Sequence, residues 1–148
     1  MYATKAKRAP ARTPEESAVA LFVDGPNMLR KEFMIDLRDL KKRVATYGRV
    51  VVAKVFINQF APEKLIEAII NEGYKVEMIL AVEEDDANDV DVSVAVAATE
   101  AAIAHDVDYI ALATRDADFL PVIQKAKEYG KKVIILGAER SEEHTSEL

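Results

Sequence analysis

Four aspartates follow apolar runs of the sequence, at positions where strands of a sheet would end. They are Asp24 in the run Val23-Asp24-Gly25-Pro26-Asn27, Asp91 after an acidic stretch, and Asp116 and Asp118 shortly before an apolar segment. Parallel α/β sheets place their sites at the carboxyl ends of strands, so these side chains can meet at one edge. Carboxylate oxygens are ligands for hard cations such as Mg²⁺. Convergence of the four aspartates would therefore make a cation site.

Each of these acids also has a purely structural explanation. Asp24 precedes a Gly-Pro turn, and Asn27 is close enough along the chain to hydrogen-bond the carboxylate or the turn backbone. Asp118 is well placed to cap the helix that follows it, and Asp89 competes with Asp91 for the first turn of an earlier helix. Acids that cluster without a nearby lysine raise one another's pKa, however, and a divalent ion relieves that repulsion. Capping and cation binding both remain open at this point.

The elements that must position these residues alternate along the chain. Short β-branched runs predict strands, and intervening stretches with apolar residues on one face predict helices. Such alternation is typical of an α/β fold whose mainly parallel sheet has right-handed crossovers. Asp36 and Pro62 suit helix starts, and Gly48, Gly73 and Gly130 suit helix ends. We predict five strands, at 19–23, 50–57, 74–80, 108–113 and 132–136, and helices at 36–47, 62–73, 89–104 and 120–129.

The amino-acid composition excludes several classes of protein and several kinds of catalytic or metal-binding site. The chain has 148 residues, enough for one domain with a sizeable core. No apolar run approaches the ~20 residues that span a bilayer, and no signal peptide is evident, so we expect a soluble, cytoplasmic protein without membrane contact. Cysteine is absent, which excludes disulfides, thiolate catalysis and cysteine-based zinc sites. Any metal must therefore bind to oxygen.

The two ends of the chain differ from its body. The net charge is −6, yet the first 13 residues carry four basic residues and no acids. Residues 1–17 are therefore expected to form a basic flexible tail, which either holds a polyanion or is simply solvated. Residues 18–139 form the predicted domain. The last residues, 140–148, lack apolar periodicity and resemble the translation of a sequencing adapter, so we expect a non-native tail in place of the natural C-terminus.

Three segments in this order resemble the NYN domain family, a branch of the PIN-like nucleases that includes LabA-like proteins. They are Phe22-Val-Asp-Gly-Pro-Asn-Met28, Asp89-Val-Asp-Val92 and Ala113-Thr-Arg-Asp-Ala-Asp-Phe-Leu-Pro121. The resemblance implies a three-layer α/β/α sandwich whose acidic cluster binds Mg²⁺ or Mn²⁺ and supports hydrolysis of RNA phosphodiester bonds. By position, Asp24, Asp91, Asp116 and Asp118 match the family's acids, and Asn27 matches the polar residue beside the first of them.

One position departs from the family pattern. Many relatives carry an acid six residues after the position of Asp91, where this chain has Ala97. Glu100 is a candidate substitute. The departure leaves two functional hypotheses, a metal-dependent endoribonuclease and a catalytically weak RNA-binding or regulatory module. A Rossmann-like nucleotide binder is disfavoured, because no glycine-rich phosphate loop follows the first strand.

Basic residues near the acidic segments are candidates for binding the phosphates of RNA, which we expect to be single-stranded. Arg30 and Lys31 follow the Asp24 turn, and Arg115 precedes Asp116. Asn27, in the turn itself, is a further candidate for substrate binding. The cluster 41–43 on the first long helix is a weaker candidate, because lysines and arginines are common on exposed helix faces.

Overall fold

A six-stranded sheet lies at the centre of the protein. The structure is a computed structural model that describes residues 12–28, 36–83, 88–104, 106–114, 119–139 and 142–147. The strand order is β3-β2-β1-β4-β5-β6, with the first five strands parallel and β6 antiparallel to β5. The elements are β1 (Ala18–Asp24), α1 (Gly25–Met28), α2 (Leu37–Ala45), β2 (Arg49–Asn58), α3 (Glu63–Asn71), β3 (Lys75–Ile79), α4 (Asn88–Ala104), β4 (Tyr109–Ala113), α5 (Leu120–Glu128), β5 (Lys132–Glu139) and β6 (Glu142–Glu147).

Two apolar clusters, one on each face of the sheet, make up the core. On the first face α2 and α3 contribute Leu40 and Ile69, among others, to the residues packed against β1. On the second face α4 and α5 contribute Val94 and Val122. Because side chains alternate along a strand, β1 sends Leu21 to one cluster and its neighbour Phe22 to the other. The predicted α/β/α sandwich is confirmed. None of the helices formed by the described residues is long and apolar enough to cross a membrane.

Local signals explain several element ends. The carboxylate of Asp36 accepts hydrogen bonds from the backbone N–H groups of Arg38, at 2.9 Å, and Asp39, so it caps α2 as predicted. Gly73 and Gly130 have positive φ angles of 82° and 74° after α3 and α5, a conformation that glycine adopts without strain. Phe119 occupies the position before α5 and makes no side-chain cap hydrogen bond, and Asp118, the predicted cap of this helix, lies outside the described residues.

The sixth strand was not predicted from the sequence. Residues 142–147 are all polar, so they show no alternation of apolar and polar residues, yet they pair antiparallel with β5. Strand pairing uses backbone groups that every residue except proline supplies, and a sheet edge offers such groups unpaired. The non-native origin of the tail stays a prediction, because the pairing does not depend on where the sequence came from.

Candidate active site

Asp24 is the last residue of β1, the strand that lies between β2 and β4. All seven residues of this strand are buried, and Asp24 is fully buried, opposite Phe56 of β2. Since side chains two residues apart point the same way, Asp24 lies on the face of Phe22, which α4 and α5 cover. The carboxylate therefore sits at the carboxyl edge of a central strand, where parallel sheets place their sites.

The turn after Asp24 is held tightly against the neighbouring strand. A Cβ added at Gly25 would collide with the backbone carbonyl oxygen of Phe56 and would lie 2.8 Å from Cγ2 of Ile57. Only glycine fits at this position without displacing β2. Met28, at the end of the single turn α1, is fully buried in the first core cluster. The close contact of Gly25 with β2 and the burial of Met28 thus fix the turn that follows Asp24. Asn27 lies within this turn.

Thr114 is a candidate site residue that the sequence analysis missed. Ala113 of β4 pairs with Val23 of β1, so the next residue, Thr114, is level with Asp24 and lies on the same face of the sheet. Its backbone N–H donates to the carbonyl oxygen of Leu136 at 3.1 Å. The residue is only 5% exposed, and among the described residues its Oγ1 has no hydrogen-bond partner. Threonine is common in strands, so nothing in the sequence distinguishes this one.

Asn58 ends β2 at the same edge but has a structural role. It is buried, and its Oδ1 accepts a hydrogen bond from the backbone N–H of Phe60 at 3.0 Å. Its backbone carbonyl accepts from the N–H of Ala61 at 3.1 Å, which closes a turn. This pattern is the ordinary use of asparagine at the first position of a turn.

Asp91 reaches the same edge from α4. The residue before it, Val90, is fully buried in the second core cluster, and Val94 continues the same buried stripe one turn later. Asp91 flanks this stripe and is half-buried. Because α4 begins at the carboxyl edge of the sheet and packs on β1 and β2, its first turn brings Asp91 to the edge and face that hold Asp24 and Thr114.

The basic cluster of α2 lies on the opposite face of the sheet and has other partners. Lys41 Nζ donates to the backbone carbonyl of Glu72 at 2.9 Å and lies 4.6 Å from the ring centroid of Tyr74. Arg43 Nε donates to the carboxylate of Asp39 at 3.0 Å. These contacts join α2 to the end of α3 and to its own first turn. We therefore do not assign this cluster to the site.

Comparison with known proteins identifies the family of this α/β domain. The family model for the NYN domain matches residues 18–148. The chain belongs to the NYN domain family. An uncharacterized protein of Methanocaldococcus jannaschii is 52% identical to it over 124 residues, which make up 84% of this chain and 49% of that protein. The chain thus spans about half the length of this relative. No solved structure matches it. Family membership indicates a nuclease-like function.

Several predicted site residues of this NYN domain lie outside the described residues. They are Arg30, Lys31, Arg115, Asp116 and Asp118. Of the predicted acids, the structure brings Asp24 and Asp91 to one edge of the sheet, and the described part of the chain contains no group of three or more acids and histidines that could hold a metal ion. The roles of Asp116 and Asp118 stay predictions.

Ala97, at the position where many relatives have an acid, packs partly buried against the second core cluster of the NYN domain. Glu100 does not take its place. It is exposed, and it lies nine residues after Asp91, about 13 Å further along the helix axis. The structure therefore does not bring Glu100 to the site.

Proposed function

We propose that this NYN domain is a metal-dependent ribonuclease that hydrolyses phosphodiester bonds of single-stranded RNA. The observation that carries the proposal is the position of two buried polar residues, Asp24 at the end of β1 and Thr114 directly after the adjacent strand β4. They follow the paired residues Val23 and Ala113, so they are level and on one face, with Asp91 in the first turn of α4 above the same edge. Burying polar groups in the best-packed part of a sheet lowers stability unless they are compensated. Polar groups kept at such a place are typical of a functional site.

The donor atoms suit Mg²⁺ or Mn²⁺. Asp24 and Asp91 offer carboxylate oxygens, Thr114 offers a hydroxyl, and the whole chain has no cysteine. In this proposal Asp116 and Asp118, which follow Thr114 closely in the sequence, complete the ligand set. Hard cations take such oxygen ligands and leave positions for water and substrate phosphate. When bound, the ion would lower the pKa of a water molecule and stabilise charge that develops on the phosphate.

The chain's own residues have the following proposed roles. Asp116 or Asp118 accepts the proton of the attacking water, as a positioned carboxylate can. Arg30, Lys31 and Arg115 bind substrate phosphates beside the acids, and Asn27 contributes to binding the substrate. These cations matter because a chain of net charge −6 otherwise repels RNA.

A second candidate, an RNA-binding module with little or no catalysis, is favoured by one observation. Position 97 holds an alanine that packs partly buried against the core, and Glu100, three residues later, is exposed. A site that lacks one ligand binds its ion less tightly. In that case RNA would bind without being cut.

The decisive experiment compares the wild type with the double variant Asp24→Asn/Asp116→Asn. With Mn²⁺ or Mg²⁺ the wild type should cut single-stranded RNA, and the ion should raise its free energy of unfolding by about 2–3 kcal/mol at ~100 times the dissociation constant. The double variant should lose both effects. Asp106→Asn is the matched control, because Asp106 is an exposed acid outside the site. Cutting that persists in the double variant, or in excess chelator, would refute the proposal. RNA binding without cutting by the wild type would establish the second candidate.

A further inference from the structure

Three apolar side chains are exposed at the carboxyl edge of the sheet, on the loops that follow β2 and β3. Phe60, after β2, is 43% exposed, and Leu80 and Val82, after β3, are 74% and 87% exposed. Single exposed apolar residues are common on proteins, but a group of them at one place is typical of a binding surface. Both loops leave the edge at which Asp24 ends the parallel strand β1. The exposed group therefore lies beside the candidate active site.

Hydrogen bonds join the two loops and fix the backbone at Phe60. The side-chain amide of Gln59 donates to the backbone carbonyl oxygen of Ala81 and accepts from the backbone N–H of Ala81 at 2.7 Å. The backbone N–H of Phe60 donates to Oδ1 of Asn58 at 3.0 Å. Pro62, directly before α3, restricts the chain on the other side of Phe60. An aromatic ring on such a turn loses little conformational entropy when it binds, because it has only two rotatable bonds.

Phe60 is close enough to Asp24 for both residues to contact one RNA strand. Asp24 pairs with Phe56, which lies four residues before Phe60, and neighbouring strands are about 5 Å apart. Four residues span at most about 14 Å. The α-carbons of Asp24 and Phe60 are therefore at most about 15 Å apart. A strand whose scissile phosphate lies at Asp24 can place a nearby base on the ring.

A cation lies close to the aromatic ring in the chain. Lys64, four residues after Phe60, is exposed in the first turn of α3, which begins at the same edge of the sheet. Within the part of the chain that the structure describes, Lys64 forms no ion pair. The helix dipole disfavours a lysine in a first turn, so the stability of α3 does not explain this residue. Its ammonium group can instead bind a phosphate next to a base that contacts Phe60.

We propose that Phe60 stacks on an unpaired base of single-stranded RNA and that Lys64 binds the adjacent phosphate. The inference rests on the proposed function in one respect, that RNA is the ligand, and it does not require the RNA to be cut. Charge repulsion does not oppose stacking, which therefore helps a chain of net charge −6 to hold RNA near its carboxylates. Every base has a face that can stack on a ring, so this subsite selects unpaired bases rather than a sequence.

Fluorescence anisotropy in excess chelator measures binding without cutting, with a labelled RNA of about 12 adenine nucleotides. Phe60→Ala should weaken binding about 5- to 150-fold, the effect of losing one stacked base. Phe60→Trp keeps a ring and should bind at least as tightly as the wild type. Phe60→Leu keeps an apolar side chain without a ring and should bind as weakly as Phe60→Ala. Ile70→Ala is the matched control, because Ile70 is 58% exposed at the other end of α3; it should bind as the wild type does.

Two comparisons test the contacts with the base and with the phosphate separately. An RNA whose bases are removed should bind the wild type much more weakly than the intact RNA does, and this difference should be smaller for Phe60→Ala. Lys64→Ala should reduce the slope of log affinity against log salt concentration by about 0.7, the value for one phosphate contact on a single strand. Lys127→Ala is the matched control, because Lys127 is exposed in the last turn of α5, at the opposite edge; it should leave the slope unchanged.

Cleavage with Mn²⁺ separates this subsite from the proposed nuclease. If both are present, Phe60→Ala should raise the KM for RNA and leave kcat close to the wild-type value, because the ring binds the substrate equally before and during the reaction. A wild type that binds RNA through Phe60 without cutting it would contradict the nuclease and support the subsite. A wild type that binds no RNA, Phe60→Leu that binds as tightly as the wild type, or an equal loss on base removal in the wild type and Phe60→Ala would each overturn the subsite.

Discussion

Replacing Thr114 by valine separates the stability of the fold from the function of the site. Valine has nearly the same shape as threonine but lacks the hydroxyl group. In the structure this hydroxyl is buried and has no hydrogen-bond partner among the described residues. If the hydroxyl serves the bound ion or substrate rather than the fold, its removal should stabilise the protein in the absence of ligand.

The expected gain follows from the desolvation of the hydroxyl. Burying such a group without a partner costs about 1–3 kcal/mol in measurements on proteins. Thr114→Val should therefore raise the free energy of unfolding by about 1–3 kcal/mol. For a chain of 148 residues each kcal/mol shifts the melting temperature by roughly 3 °C, so the increase should be about 3–9 °C.

Urea and thermal unfolding without divalent cation measure the gain, and RNA cleavage with Mn²⁺ measures the functional loss. We expect cleavage to fall at least about tenfold, equivalent to ~1.4 kcal/mol of lost transition-state stabilisation. Thr114→Ser keeps the hydroxyl and should keep most of the activity, although the missing methyl group lowers stability. If Thr114→Val is less stable than the wild type by more than ~1 kcal/mol, the hydroxyl has a partner in the fold. If Thr114→Val keeps full activity, the hydroxyl is not part of the site.

Two further predictions concern the framework of the site. Tyr74 donates a hydrogen bond to the carbonyl oxygen of Leu37 at 2.6 Å, and burial, with smaller contributions from the carboxylates of Glu72 and Asp36, raises the pKa of its phenol. Tyr74→Phe should therefore lose about 1 kcal/mol at neutral pH. The raised pKa contributes stability that is fully present below about pH 10, the pKa of the unfolded chain, and that is lost as the pH rises above this value. In a series of unfolding measurements at alkaline pH, the free energy of unfolding should therefore decline less for Tyr74→Phe than for the wild type. An equal decline in both proteins would contradict this. Gly25→Ala should cost about 1–3 kcal/mol and sharply reduce cleavage, because the added methyl group meets the Phe56 carbonyl and displaces the turn that carries Asp24. Gly130→Ala, whose cost of about 1–2 kcal/mol arises from positive φ far from the site, should leave cleavage by the folded protein unchanged.

The parts of the fold that could be predicted from the sequence are those that are determined by residues close together in the chain. The five parallel strands follow from short β-branched runs, and the Asp36 cap follows from a polar residue immediately before an apolar helical pattern. The start of α5 depends in addition on packing, because Phe119, the residue before the helix, is buried in the second core cluster.

Thr114 could not be found from the sequence because its significance depends on strand register. It lies 90 positions after Asp24, and only the pairing of β1 with β4 shows that the two are level and on one face. The outer face of α4, which exposes Val92, Val96 and Ile103, shows a related limit. Its valines and alanines predicted a helix, but an all-round apolar helix can be buried on every side or can bind a partner. The exposure of the α4 side chains in the folded protein distinguishes these two cases. That exposure depends on which side of the sheet the helix covers, which the sequence does not show.

The position of Asp24 explains how the fold can carry a polar site in its interior. β1 has a strand on each side and a core cluster on each face, so it lies in the most constrained part of the sheet. Ligand groups must be held to within a fraction of an ångström, which is easier on such a strand than on a loop. The desolvation of the Thr114 hydroxyl lowers stability there, and apolar residues on both faces offset that loss. A stabilising substitution of Thr114 should therefore be easy to obtain and harmful to function. The same reasoning predicts no such conflict at Asn58, whose side chain already completes a turn.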